Sequence, residues 1–320
     1  MKYRIAGCLL LAAAAFPSVG LPATPSNCNR ECLEAYVDRY LDAMQAHKVS
    51  DDLFAREVKF TENGVRLPFG TEGLWYGMSG KGTYKFYVPD IETQQVAFIG
   101  TVREGGKTTT DGNLVALALR LKIVDNRITE VEQLAIRPDI PLGGTEPSSS
   151  RFARTGEAVE KMGAPHPIFR EVIPEANRPS REELIKTANY YFTGLQRNDG
   201  KGYYPFTDDC ERYENGIHMT NSDVQTMGCK EQFEKALKNV VSRVRDRRFV
   251  AVDRERGIVF AFGFFDHEQI NWTWQLAELF KIENGKIRRI EAVFHRAPYG
   301  INSGWSTYEQ GISDQPQIVR

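Results

Sequence analysis

Proton-transfer chemistry needs histidine or carboxylate side chains held close to groups that polarise an oxygen, and the second half of this 320-residue chain is the richer in both. Of five histidines, His218, His267 and His295 fall within residues 180–300, beside Trp272 and Trp274. His295 stands out. It interrupts an apolar run in "IEAVFHRAP", where the parallel segment "VEQLAIRP" places Ile136. An imidazole inside a strand must find a partner or a cavity, so His295 is expected to act as base or acid. Arg212, Tyr213 and Glu214, from "CERYENG", are expected to polarise or position an oxygen. Asp266, next to His267 at the end of "GIVFAFGFFDH", offers a further acid–base pair, although neighbouring strand residues point to opposite faces. Tyr191, Phe264, Trp274 and His218 are the expected walls of a substrate cavity. Glycine-rich phosphate loops, a Gly-x-Ser-x-Gly elbow, His-Glu-x-x-His and a dinucleotide fingerprint are all missing from the sequence, so neither metal nor cofactor is expected.

The elements that must carry these residues occur twice. Leu33, Val37, Tyr40, Leu41 and Met44 form the apolar stripe of one helix. Leu184, Ala188, Tyr191, Phe192 and Leu195 repeat it at a constant shift of 151 residues. Glu62-Asn63-Gly64 recurs as Glu214-Asn215-Gly216 at a shift of 152. Lys122, Ile128, Glu132 and Arg137 recur as Lys281, Ile287, Glu291 and Arg296 at a shift of 159. Three blocks in one order mark an internal duplication. Within each unit a long helix precedes a short strand pair, a second helical stretch and an antiparallel meander, an α+β order with helices covering one face of a curved sheet. Asn-Gly is the preferred dipeptide of a two-residue hairpin, and Asn284-Gly285 repeats it, so the triplets read first as turns. Glu132 and Glu291, kept in both units, suggest architecture, as salt bridges to Arg137 or Arg296.

Residues 1–23 combine Lys2 and Arg4 with the apolar run "IAGCLLLAAAAF" and small residues around Gly20 and Ala23, the pattern of a signal peptide. The mature chain is then expected in a periplasm or outside the cell. Four cysteines remain after cleavage: Cys28, Cys32, Cys210 and Cys229. In an oxidising compartment they suggest two disulfides with three possible connectivities, of which Cys28–Cys32 with Cys210–Cys229 is the simplest. A formal net charge of −1 gives no reason to expect nucleic acid or an anionic membrane as partner. The expected units are 28–137 and 180–300, joined by a proline-rich linker at 138–179 and followed by a tail at 301–320.

The segments "FTENG…GLW", "LALRLKI", "RDRRFVAVDRERG", "WTWQLAELFKI" and "IRRIEAVFHRAPYG" resemble a family of exported bacterial and fungal proteins of unknown function with two SnoaL-like halves. The resemblance, covering roughly residues 28–305, implies two NTF2-like cones in tandem, packed sheet to sheet as an internal pseudo-dimer in a monomer, or further paired as a homodimer. Relatives on that fold include ketosteroid isomerases, scytalone dehydratases and limonene epoxide hydrolases. By that analogy the chain is expected to be a cofactor-independent lyase, isomerase or dehydratase acting on a small apolar, oxygenated compound, aromatic, lignin-derived or polyketide-like. The alternative is a non-catalytic exported module that holds a small molecule or a protein partner on the same fold.

Overall fold

The computed structural model describes residues 27–197, 199–237 and 240–319, so the expected signal peptide lies outside them. Each unit opens with a helix, α1 (Arg30–Gln45) or α4 (Arg181–Arg197). Asn29 caps α1 by accepting from the Cys32 amide, and Leu33, Val37, Tyr40, Leu41 and Met44 turn to the core as their spacing predicts. The first unit continues through β1 (Phe54–Glu62), β2 (Val65–Arg66), α2 (Leu74–Gly77), β3 (Met78–Asp90), β4 (Gln95–Glu104), β5 (Asn113–Val124) and β6 (Arg127–Ile136). After the intervening helix α3 (Thr155–Lys161) and α4, the second repeats this with β7 (Phe206–Glu214), β8 (Ile217–His218), α5 (Cys229–Glu231), β9 (Arg243–Asp253), β10 (Ile258–His267), β11 (Trp272–Glu283) and β12 (Lys286–Pro298). A π-helical turn, Gln232–Ala236, prolongs α5.

The two sheets have one topology. Strand order is β2-β1-β6-β5-β4-β3 in the first and β8-β7-β12-β11-β10-β9 in the second, where a tail strand β13 (Gln317–Ile318) adds to the β9 edge. In both, the first strand lies parallel to the last: Glu62 pairs with Gln133, and Glu214 with Ala292. The sheet register therefore superimposes the repeats residue by residue. Both disulfides are present as Cys28–Cys32 and Cys210–Cys229.

Alternation along each strand divides its residues between two layers. Leu276, Phe280 and Ile290 join α4 in one core, as Leu117, Leu119 and Leu121 join α1 in another. Opposite-facing residues of both sheets, among them Phe86, Ile99, Leu134, Phe260, Leu279 and Val293, form a third cluster together with Val159 and Phe169 of the 138–179 segment. Buried polar contacts cross this layer in a matched pair. Glu132 on β6 receives two bonds of 2.6 Å from Arg248 on β9, and Glu291 on β12 accepts from the Tyr84 hydroxyl on β3 at 2.9 Å. The conserved-in-both glutamates are architectural, but their partners are Arg248 with Arg120, and Arg289 with Tyr84. Arg137, just past the end of β6, and Arg296, near the end of β12, alternate off the face that Glu132 and Glu291 share and take no part.

The Glu-Asn-Gly triplets resolve into three separate jobs. Asn63 and Gly64 have φ of 51° and 78°, and Asn215 and Gly216 have 51° and 80°, so both residues of each turn are left-handed, as a type I′ hairpin needs. Each asparagine side chain also clamps the last strand. Asn63 exchanges two bonds with the Ala135 backbone, and Asn215 does the same with Phe294, at 2.8–3.1 Å. A Cβ on Gly216 would come within 2.6 Å of the α3 backbone at Ala158 and Val159, so packing demands glycine there as well. The glutamates point into the helix-covered cores.

Candidate functional site

The second unit carries a cavity of about 260 Å³ between α4, the π-helical turn and the sheet. Its polar floor is Tyr191, Arg212, Glu214 and Gln232; its walls include Leu195, Leu237, Phe265, Trp274 and Phe294. Arg212 and Glu214, two apart on β7, share the inward face, and their side chains pair at 2.8 Å. Arg212 also donates to the Tyr191 hydroxyl at 3.3 Å and to Gln232 Oε1 at 2.5 Å. Gln232 is held in turn by the Met219 and Met227 carbonyls. The Cys210–Cys229 bridge fixes the start of this helical segment to β7, three residues before Gln232. A π-turn at such a place fits the recurrence of these irregularities at functional sites.

Directly behind the floor sits Glu278 on β11, 1% exposed and on the same face as Trp274, Leu276 and Phe280. Burial pushes its carboxyl up to about 8, and the Glu214 charge adds to this, while the Tyr191 hydroxyl and Arg212 pull the other way. Its Oε2 has no hydrogen-bond partner among the described residues. Burial likewise raises the Tyr191 phenol well above its ordinary value. The arrangement is a neutral carboxyl behind a tyrosine hydroxyl, with an arginine–carboxylate pair alongside. Such a group stores a proton at neutral pH and can pass it forward.

The predicted site residues separate onto different faces. Tyr191, Arg212, Glu214 and Trp274 come together in the cavity. Tyr213 points outward from β7, stacks on His218 at 4.5 Å and lies under the Arg289 guanidinium. Asp266 and Phe264 face the other layer. Asp266 is ion-paired to Arg243 and Arg245, and Arg245 also covers the Phe264 ring. His295 lies on that side too, in a groove between the units, 3.2 Å from the Gln275 side chain. Burial and the nearby Arg137 charge lower its pKa to about 4, so the ring is neutral. His267, by contrast, lines the cavity; it is 8% exposed, its Nε2 is unpartnered among the described residues, and burial lowers its pKa. No group of metal-ligating side chains occurs among the described residues.

Sequence reading did not single out Glu278 or Gln232. The signal for Glu278 was present: the shift of 159 that matches Lys122 to Lys281 also matches Leu119 to Glu278, an apolar residue exchanged for an acid inside a repeated strand. Gln232 has no such signal, since its position depends on the disulfide-tethered turn.

A family profile described as "Domain of unknown function (DUF8021)" matches the chain twice, at residues 26–135 and 177–294. The chain belongs to this family. The two DUF8021 matches coincide with the two sheets and establish the duplication as one domain type used twice. No curated protein matches the chain. Among solved structures, a de novo designed protein with a curved β-sheet aligns at 19% identity over 37% of this chain and 88% of its own, with a TM-score of 0.28. An LEH-like epoxide hydrolase from M. tuberculosis aligns at 16% identity over 37% and 86%, with a TM-score of 0.27. Within the DUF8021 pair, no helix among the described residues is long and apolar enough to cross a membrane.

Proposed function

We propose that the second DUF8021 unit is a cofactor-independent acid–base site of the lyase, isomerase or dehydratase kind, acting on a small apolar, oxygenated compound. Each unit reads as an NTF2-like cone and the pair as an internal pseudo-dimer, in an exported protein. The observation that carries the chemistry is Glu278: a buried carboxyl behind Tyr191 with one oxygen, Oε2, left without a partner among the described residues, at a position where the first unit has Leu119. A fold gains nothing from this exchange, since burying an acid with one oxygen unsatisfied costs stability. In the reaction, an apolar substrate is held by Phe265, Trp274 and Phe294 with its oxygen toward the Tyr191 hydroxyl. Tyr191 gives its proton to that oxygen and is resupplied by Glu278. Glu214, the most open of the four floor residues, takes a proton from the adjacent carbon, and Arg212 balances the charge. Water at the cavity mouth carries that proton from Glu214 back to the Glu278 carboxylate, so the net step is a keto–enol shift of the substrate and both carboxyl groups return to their starting state.

The test is turnover of a panel of β-hydroxy ketones, enones and phenolic aldehydes by the wild-type chain and by Glu278→Gln, Glu278→Leu and Tyr191→Phe. Loss of a general acid is expected to lower kcat by about 10²-fold or more. Wild-type activity is expected to fall as pH rises through about 8, where Glu278 loses its proton. Turnover that persists unchanged in Glu278→Leu removes the mechanism. The largely apolar wall favours a second reading, a binding module. It predicts saturable binding of the same compounds with no turnover, and equal affinity in Glu278→Gln.

A further inference from the structure

A larger hollow of about 480 Å³ opens between the two units, beside the second-unit cavity and separated from it by Phe152, Trp274 and Phe294, which line both. Its size falls within the range of small-molecule sites. The Trp272 and Trp274 rings stand 5.0 Å apart and make an aromatic corner.

The charge in this groove comes from a divergence between the repeats. In the first unit Arg137 is fully committed, to Glu104 at 2.7 Å and Glu62 at 2.8 Å. Its counterpart Arg296 has lost both partners. Sheet register places His267 where the first unit has Glu104: Glu104 pairs with Asn113, His267 pairs with Trp272, and Asn113 and Trp272 correspond through the shift of 159. Glu214, the counterpart of Glu62, is taken by Arg212, which stands where the first unit has Phe60. Arg296 therefore makes no ion pair among the described residues, and its guanidinium lies over the Trp272 ring at 4.1 Å, on the groove. Asp139, the carboxylate at the rim, is held by the Ser148 hydroxyl at 2.6 Å. His295 at the base is neutral and shares a hydrogen bond with Gln275. The groove thus offers flat apolar surface plus a cation, Arg296, free of ion pairs among the described residues and carrying a planar, two-pronged donor set.

We propose that the inter-unit groove is a second binding site, for a small aromatic carboxylate whose ring packs in the Trp272–Trp274 corner and whose carboxylate is bound by Arg296. Guanidinium recognises carboxylate bidentately, and an arginine already stacked on an aromatic face is pre-oriented to do so. This site does not rest on the acid–base reading of the neighbouring cavity.

Calorimetric titration of the full chain with trans-cinnamate, its neutral amide as comparison, tests the proposal. The wild-type chain is expected to bind cinnamate saturably and the amide about tenfold more weakly. Arg296→Gln should weaken cinnamate by about tenfold or more. Ser150→Trp, on the exposed rim of the groove, should block it sterically, which covers the case that Arg296→Gln misfolds. Glu278→Leu should leave the affinity unchanged, separating this site from the cavity. Absent binding, equal affinity for acid and amide, wild-type affinity in both groove variants, or loss of binding in Glu278→Leu would each overturn it.

Discussion

The two units place the same tyrosine and the same glutamate under the same helix, and treat them differently. In the first, Tyr40 donates to Gln133, Gln133 donates to Glu62, and Trp75 donates to Tyr40, all at 2.7–3.0 Å. Glu62 also accepts from the Leu74 amide and pairs with Arg137. Phe54, Phe69 and Trp75 pack edge to face over this network. Every polar group is paid for locally. In the second unit, Ala292 replaces Gln133 and frees space, Glu278 replaces Leu119, Arg212 replaces Phe60, and the disulfide-tethered π-turn replaces the region of Trp75. One copy ties its polar groups into a buried hydrogen-bonded network, while the other holds a cavity above an acid with one unpartnered oxygen. Duplication allows this because the first copy can supply stability while the second gives some up.

The comparison breaks most sharply at Glu278. Between an ordinary carboxylate value of 4.5 and the folded value of about 8, the native chain holds a proton that the unfolded chain has released. Wild-type stability should therefore fall as pH rises through this window, by an amount on the order of 5 kcal/mol. Glu278→Leu, which installs the first unit's residue, should abolish that slope, gain most of the difference above pH 8 and lose turnover. Urea titrations at pH 5 and 8.5 measure it.

The reverse exchange, Leu119→Glu, should cost about 4 kcal/mol at neutral pH, because Phe60 stands where Arg212 would balance the charge. Equal stability of that variant would show that the first core has hidden room.

His295 supplies a third contrast. Its folded pKa of about 4 lies below the ordinary 6.5, so the unfolded chain binds the extra proton in between. Stability from this site is complete above pH 6.5 and is lost as pH falls toward 4, by about 3 kcal/mol. His295→Ile, matching Ile136, should flatten the acid limb of a thermal-melt series.

The smallest effect should be the most symmetric. Asn63→Ala and Asn215→Ala each remove one two-point clamp on the last strand and should cost about 1–2 kcal/mol apiece. Unequal costs in chemical denaturation would mean that the two clamps are not equivalent.

Much of this organisation was legible in the chain itself. Apolar spacing marked both first helices, the shifts of 151, 152 and 159 marked the duplication, and Asn-Gly marked the turns, because each follows from local geometry with a fixed period. Alternation along β7 could already separate Tyr213 from Arg212 and Glu214. Which face was inward could not be read locally, since both faces of each sheet are buried, one under a helix and one against the other unit. His295 and Asp266 thus had the right chemistry on the layer away from the cavity. The parallel pairing of first and last strands, which sets Glu214, Ala292 and Glu278 side by side, joins residues more than sixty positions apart. Sequence determined which residues repeat, which turn and which carry chemistry, because those depend on neighbours along the chain. Tertiary structure alone decided that one oxygen of Glu278 is buried without a partner and that Arg296 lost both of the carboxylates its counterpart holds, because burial and pairing depend on which distant strands meet.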